Sequence, residues 1–341
     1  MSLPSQDPLA GTAGEYRRFA RLEARGRSAA YEALAMAVAG DRLVLAFLAS
    51  LPAGKRQPNL LFAAARYLLG EAADIGALRR LVVGRRDELA GVMRARRTQT
   101  NEPARCATLL PVLAQLPQPL ALLEVGASAG LTLLVDRYSY DYGGHKIAGT
   151  DPAAPLLACQ ARGPLPIPDR VPSVAWRAGL DLNPLDVADP DDARWLECLL
   201  WPGEHGRAER LAAAIAAARR DPPPVHRGDL LTDLPALAGQ APPGVTLVIY
   251  HSAVLGYVAP PDRRRFAAAV GRLGAVWLSS EGPGVVPGVT LPHDARVVPG
   301  VTRPDDAEGS FVVVRDGTSA LALADPHGAW LRWLAPAQGS G

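Results

Sequence analysis

Along the first hundred residues, apolar side chains recur at three- and four-residue intervals, and glycine or proline separates one run from the next. EYRRFARLEA, SAAYEALAMAVA, RLVLAFLASL and NLLFAAARYLLGE each carry this spacing, which gathers their apolar positions onto one face of a helix. No strand is expected there. NEPARCATLLPVLAQLP predicts a further helix, with Asn101 as its cap and Pro103 in its first turn.

From residue 119 the pattern changes. PLALLEVG is a short apolar run that ends in glycine, and SAGLTLLVDRY behind it returns to helical spacing. YSYDYGGHKIAG alternates aromatic and polar residues around Gly143-Gly144, which predicts a β-hairpin. The proline-rich ARGPLPIPDRVP leads to a strand, SVAWRAGLDLNP, and then to two helices, DDARWLECLLW and RAERLAAAIAAARR. VHRGDLL, GVTLVIYHS, AVWLSSEG and FVVVRDG read as strands, with RRRFAAAVGRL as a helix between GVTLVIYHS and AVWLSSEG. FVVVRDG and SALALADP are too close in sequence to be anything but antiparallel neighbours. The expected fold is α/β, a doubly wound, mostly parallel sheet of Rossmann type with an antiparallel last strand and a helical N-terminal region. The helical region is expected over 1–97 and the sheet domain over 98–341, with a hairpin and proline-rich insertion near 138–172.

Composition narrows the class. Of 341 residues, 48% are hydrophobic and 21% charged, enough for a sizeable core. The 36 basic and 34 acidic residues nearly cancel, so nothing points to nucleic acid or to an anionic membrane. Within that balance, residues 1–100 hold 16 Lys/Arg against 9 Asp/Glu, a basic helical region that is a possible docking face for a protein partner. Cys106, Cys159 and Cys198 are widely spaced and the histidines form no close pair, so neither a disulfide framework nor a metal site is expected. The N-terminus lacks the basic-then-apolar order of a signal peptide, and no apolar run is long enough for a membrane span. The expectation is a cytoplasmic protein without membrane contact.

LLEVGASAGL, at 122–131, fits two incompatible sites. Gly126-Ala127-Ser128-Ala129-Gly130 reads as G-x-S-x-G, the elbow that exposes a serine nucleophile, and Asp229 or Asp233 followed by His293 or His327 would supply the remaining order. It also reads as a glycine-rich strand-to-helix turn. Two features favour the second reading. The segment before the motif is helical where a hydrolase needs earlier strands. Glu124 also stands at the end of a strand buried on both faces, where a carboxylate is costly without a partner. An elbow supplies none and a pyrophosphate would repel it. S-adenosylmethionine, which carries an ammonium and a sulfonium, suits it.

Glu124-x-Gly126-x-Ser128-x-Gly130 resembles the E/D-x-G-x-G-x-G first motif of class I S-adenosylmethionine-dependent methyltransferases, with Ser128 in place of the middle glycine. The resemblance implies that Glu124, Gly126, Ser128 and Gly130 bind the cofactor. AGLDLNP then looks like the second motif, with Asp181 on the ribose hydroxyls and Asp141 or Asp151 as competitors if the hairpin is strand two. Asp229 corresponds to an adenine contact. RTQTNEPAR, which gathers Gln99, Asn101, Glu102 and Arg105, corresponds to the segment that closes the cofactor pocket. His251, at the end of the fourth strand, is the candidate base, and Tyr257 and Glu281 are expected at the same mouth. TQTNEPAR, LLEVGASAGLTLLVDRYSYDYG, GLDLNPLDV with WLECLLWP, YHSAVLGYV and WLSSEG together resemble a bacterial domain-of-unknown-function family whose name carries no activity.

The leading expectation is methyl transfer to a small molecule. The alternatives are a non-methylating displacement or elimination on the same fold, motivated by Ser128, a non-enzymatic ligand-binding partner protein, and, last, a serine hydrolase.

Overall fold

The helical spacing of the N-terminal region is realised as α1 (Ala10–Phe19), α2 (Ala29–Ala39), α3 (Arg42–Ala49), α4 (Pro58–Leu69), α5 (Ile75–Gly84) and α6 (Arg86–Ala95) in a computed structural model that describes residues 9–289 and 309–334. Local chemistry sets their ends. Asp41 accepts the Leu43 and Val44 amides at 3.0 and 3.1 Å, and Asp74 accepts that of Ala77 at 2.6 Å, so each caps the helix that follows it. These helices form one unit, Met1–Thr100, to which Asp189–Glu209 also belong. That later segment supplies core side chains. Trp195 is fully buried with its indole N–H on the Arg97 carbonyl at 2.9 Å, and Trp201 packs on Phe19 at 5.4 Å between ring centres. Arg96 pairs with both Asp191 and Asp192. The unit runs to residue 100 and takes in a segment from far along the chain.

The second unit, Asn101–Ala188 with Arg210–Gly341, begins with α7 (Arg105–Leu113), β1 (Leu120–Val125), β2 (Ser139–Asp141), β3 (Lys146–Ile147), β4 (Leu156–Ala158), β5 (Gln160–Arg162) and β6 (Val174–Asp181). Beyond α8 (Pro190–Cys198), which lies in the first unit, come α9 (His205–Arg220), β7 (Val225–Arg227), α10 (Leu234–Ala238), β8 (Thr246–Ser252), α11 (Pro260–Gly271) and β9 (Val276–Glu281). β10 (Phe311–Arg315), β11 (Ser319–Ala324) and β12 (Trp330–Trp333) end the unit. One sheet runs in the order β5-β12-β11-β10-β9-β8-β1-β6-β7. Its β7-β6-β1-β8-β9 portion is parallel throughout, and β9 to β12 form an antiparallel meander. β1 is buried at every position, as a central parallel strand must be. Leu123, Val125, Leu180, Ile249, Phe266 and Trp277 share the core on one face of the sheet.

Two local expectations need correcting. Asn101 caps no helix: α7 starts at Arg105, and the Asn101 side chain reaches instead to the Leu131 amide at 2.8 Å. The helix expected behind the glycine turn is a single 3-10 turn, Leu131–Leu134. Its carbonyls are taken by other side chains, with Tyr138 donating to Leu131 and Arg177 to Leu133, each at 2.7 Å, and Tyr140 to Val135. Those bonds compete with helix propagation. β2 and β3 form the expected hairpin, and β2 also pairs with β4, which makes a separate small sheet. β5, from the proline-rich insertion, pairs with β12 at the edge of the main sheet.

Candidate functional site

The order of the parallel strands reverses between β1 and β8, one connecting outward to β6 and the other to β9. In open α/β sheets the carboxyl ends at such a point flank the binding crevice. Both strands end here in a turn held in the left-handed backbone region.

After β1, Gly126 and Gly130 have φ of +72° and +71°, and Ser128 has +53°. Glycine is required at the first two for a second reason. A Cβ on Gly126 would lie 2.3 Å from Cγ2 of Val254, and one on Gly130 would lie 2.8 Å from Pro223. The space where a side chain would stand at these glycines is thus filled by the protein's own chain. The turn is clasped by Asp181, which accepts the Ser128 amide at 2.8 Å through Oδ2 and the Asn183 amide at 2.7 Å through Oδ1. Of the three acids considered for the ribose, Asp181 alone ends a strand beside β1. Asp141 caps the hairpin turn at Gly144, and Asp151 pairs with Arg220.

After β8, Ala253 has φ of +59°, and the acid at the end of the next strand outward again does the clasping. Glu281 Oε1 accepts the Val254 and Leu255 amides at 2.8 and 3.0 Å and lies 2.7 Å from His251 Nδ1. His251 Nε2 accepts the Trp277 indole N–H at 3.0 Å, which puts the ring proton on Nδ1, facing Glu281. Burial raises the Glu281 carboxyl, but the His251 hydrogen bond and the two amides outweigh it and leave its pKa lowered. His251 is completely buried with both nitrogens engaged, so it is a brace for this turn and not a base open to substrate. The same pairing moves Glu281 from the mouth into the brace. Tyr257 does stand at the surface, 77% exposed.

The opposite sheet face carries a different set of groups. Glu124 pairs in register with Tyr250 across β1 and β8, so the two side chains share that face, and Ser252 follows two positions on. Glu124 is 4% exposed. One of its oxygens accepts from Thr132, and the other, Oε2, is buried without a hydrogen-bond partner. Ser252 Oγ is buried and unpartnered in the same way, and the buried Tyr250 hydroxyl lies beside the Thr132 side chain. Burial pushes the Glu124 pKa up to about 8, opposed by the Thr132 hydrogen bond and the Arg105 charge and reinforced by Asp181. Arg105 is anchored by donating to the Pro326 carbonyl at 2.9 Å and to that of Ser252 at 3.2 Å. All of Asn101–Arg105 is buried, unusual for a segment outside regular structure, and Glu102 is paired with Arg210 at 2.9 Å.

The remaining expectations disperse. Asp229 accepts the Leu231 amide at 2.7 Å in the turn after β7, where Asp233 in turn accepts the Asp229 amide at 2.7 Å. Ser128, 4% exposed, is not presented as an elbow presents its serine. His293 lies outside the described residues. Gln99 falls in the helical unit. A cleft of about 290 Å³ opens at the amino end of β6, lined by Arg137, Trp176, Arg177 and Asp221. Its arginines are matched by Asp221 and Asp136. Thr132, Tyr250 and Ser252 are additions that sequence reading passed over. For the last two the signal was a tyrosine and a serine at alternate positions of the end of β8.

No group of metal-binding side chains occurs among the described residues, and no helix there is long and apolar enough to cross a membrane. The family described as "Uncharacterized protein conserved in bacteria (DUF2332)" has a model that matches residues 13–333. No curated protein and no solved structure matches the chain.

Proposed function

The chain belongs to that family of uncharacterised bacterial proteins, and we propose that it binds S-adenosylmethionine at the carboxyl ends of β1 and β8 and transfers its methyl group to a small molecule. One observation carries the reading: Glu124 Oε2, a buried carboxylate oxygen with no hydrogen-bond partner, beside a glycine turn at the point where strand order reverses. An anionic cofactor would add charge of the same sign, whereas a cationic one supplies the partner that Glu124 lacks. The sulfonium, when bound, provides an electrophilic methyl group.

Asp181 is compatible with holding the ribose. It ends β6, the strand beside β1, and its two oxygens hold the turn through the Ser128 and Asn183 amides. Val254 fills the Cβ side of Gly126, and the nucleoside is assigned to the Asp181 side of the turn. The acceptor assigned to this site carries its own lone pair, because the nearest histidine is engaged in the brace.

Isothermal titration with S-adenosylmethionine tests the proposal. Saturable binding by the wild type, weakened at least tenfold in Glu124→Gln, is the expected result. No binding by folded wild-type protein, or equal binding by the variant, would overturn it.

A further inference from the structure

We infer that the outer edge of β6 at Arg177 is a docking site for an extended peptide, which adds there as a short extra strand. The site does not depend on the cofactor reading.

The main sheet is incomplete on this side. β7 pairs with β6 only as Gly179↔Val225, Leu180↔His226 and Asp181↔Arg227. The amino-terminal half of β6 therefore has β1 on one side and no strand on the other. The cause lies in the residues before β7. Gly179 donates its N–H to the Pro224 carbonyl at 2.8 Å. That N–H points away from β1, and alternation along the strand turns the main-chain N–H and carbonyl of Arg177 the same way. Carried back two residues, the ladder would need an N–H from Pro224 for the Arg177 carbonyl. Proline has none, and Pro222 and Pro223 repeat the lack, so the neighbouring chain cannot continue the pairing. No described residue bonds to the main chain of Arg177 on that side.

Sheet edges are commonly blunted by proline, lysine or an inward charge on the edge strand itself. Val174 to Ala178 contain neither proline nor lysine. Their one charged side chain, that of Arg177, is drawn off to the Leu133 carbonyl at 2.7 Å and to Asp136 at 2.9 and 3.0 Å. The edge is left bare. The cleft of about 290 Å³ lies here, bounded by residues 174–177 of β6 and by residues 221–224.

Two observations choose the occupant. A main-chain donor and acceptor on one residue match the main chain of an extended peptide, which presents both. The charges lining the cleft are already matched, Arg137 by Asp221 and Arg177 by Asp136, so nothing there selects a charged ligand. The half-buried Trp176 and the proline rings instead suit an apolar side chain. A bridge this short is too small for a stable dimer of the chain and fits a short peptide.

The test is amide-resolved NMR on the labelled full chain, with an acetylated and amidated hexapeptide of alternating valine and threonine as probe. The Arg177 amide should shift saturably. The same peptide with every backbone nitrogen methylated should bind at least about fivefold more weakly, the scale of one lost hydrogen bond. The double variant Pro222→Val/Pro224→Val restores the missing donors and keeps Pro223, whose ring fills the space beside Gly130. In it the ladder should extend, slowing exchange of the Arg177 amide at least about tenfold and abolishing peptide binding. No saturable shift in wild type, or equal binding of the methylated peptide, would overturn the inference. So would a folded double variant that binds as wild type does. If the double variant does not fold, the two peptides on wild type still decide. An Arg177 shift that follows protein concentration without peptide would place a second copy on this edge, and the peptide assignment would fail.

Discussion

Asp181 holds the Ser128 amide at 2.8 Å, from the end of β6 across to the turn after β1. Glu281 does the same from β9 to the turn after β8, through the Val254 amide at 2.8 Å. Each left-handed turn at the sheet's reversal point is thus clasped by the acid ending the next strand outward. Left-handed backbone at a residue other than glycine carries strain, which the surrounding bonds must offset. Removing the first clasp as Asp181→Ala should lower stability by about 1–3 kcal/mol, because two amides lose their acceptor. Urea denaturation measures the loss; an unchanged midpoint and slope would show that the clasp is not needed.

Ser128→Gly should be tolerated. The left-handed backbone costs an L-residue roughly 1–2 kcal/mol and glycine costs about 0.5–1 kcal/mol in chain entropy, so the variant should fall within about 1 kcal/mol of wild type. A valine at the same position should be clearly worse. Thermal unfolding of the pair checks this, and a Ser128→Gly variant as unstable as the valine would assign the serine hydroxyl a larger role than its backbone.

His251→Ala should cost about 2–4 kcal/mol, since it empties a buried site and strips partners from both Glu281 and Trp277. Tyr257→Ala, at an exposed position, should stay within about 0.5 kcal/mol of wild type. Chemical denaturation of both variants gives the comparison. A His251→Ala protein of wild-type stability would return the ring to consideration as a reactive group.

Glu124 makes stability pH-dependent in a defined direction. Its pKa is raised from 4.5 to about 8 on folding. Below pH 4.5 both states hold the proton and the group contributes no difference. Between 4.5 and 8 the folded state keeps a proton that the unfolded state has lost, so stability falls as pH rises, and above 8 the penalty is constant. The total is roughly 3–5 kcal/mol at about 1.4 kcal/mol per pH unit. Glu124→Gln should remove this slope, as seen in urea midpoints between pH 5 and 9. Parallel slopes in both proteins would contradict it.

The same ionisation governs cation binding. A bound cation needs the carboxylate, so affinity for S-adenosylmethionine should rise with pH by about tenfold per unit below 8 and level off above it. Binding should also take place with proton release near neutral pH, visible as a calorimetric heat that depends on the ionisation enthalpy of the buffer. A flat affinity between pH 6 and 8 would count against Glu124 as the contact.

Much of the fold was readable in advance because it is local. Helical spacing, the strand runs, the Gly143-Gly144 hairpin and the antiparallel pairing of β10 with β11 all follow from side chains a few residues apart. Where local pattern failed, a distant partner had intervened. SAGLTLLVDRY has helical spacing, yet Tyr138, Tyr140 and Arg177 take the carbonyls that a helix would have used. Asn101 has the chemistry of a cap, yet the amide it satisfies is that of Leu131, thirty positions away. DDARWLECLLW was recognisable as a helix, but only Trp195 and Trp201 in their packed positions show that it belongs with the N-terminal helices.

The candidate site divides along the same line. Sequence alone determined that a glycine turn follows the central strand, that an acid stands two residues before it, and that Asp181 ends a later strand. These are properties of residue type and order. Only the tertiary structure decided which acid clasps which turn, that His251 is a buried brace, and that Glu124, with one oxygen unpartnered, shares a face with Tyr250 and Ser252. The reason is that a hydrogen bond depends on where its partner lies in space. For these groups the partners, or the lack of them, are set by strand order across residues far apart in the chain.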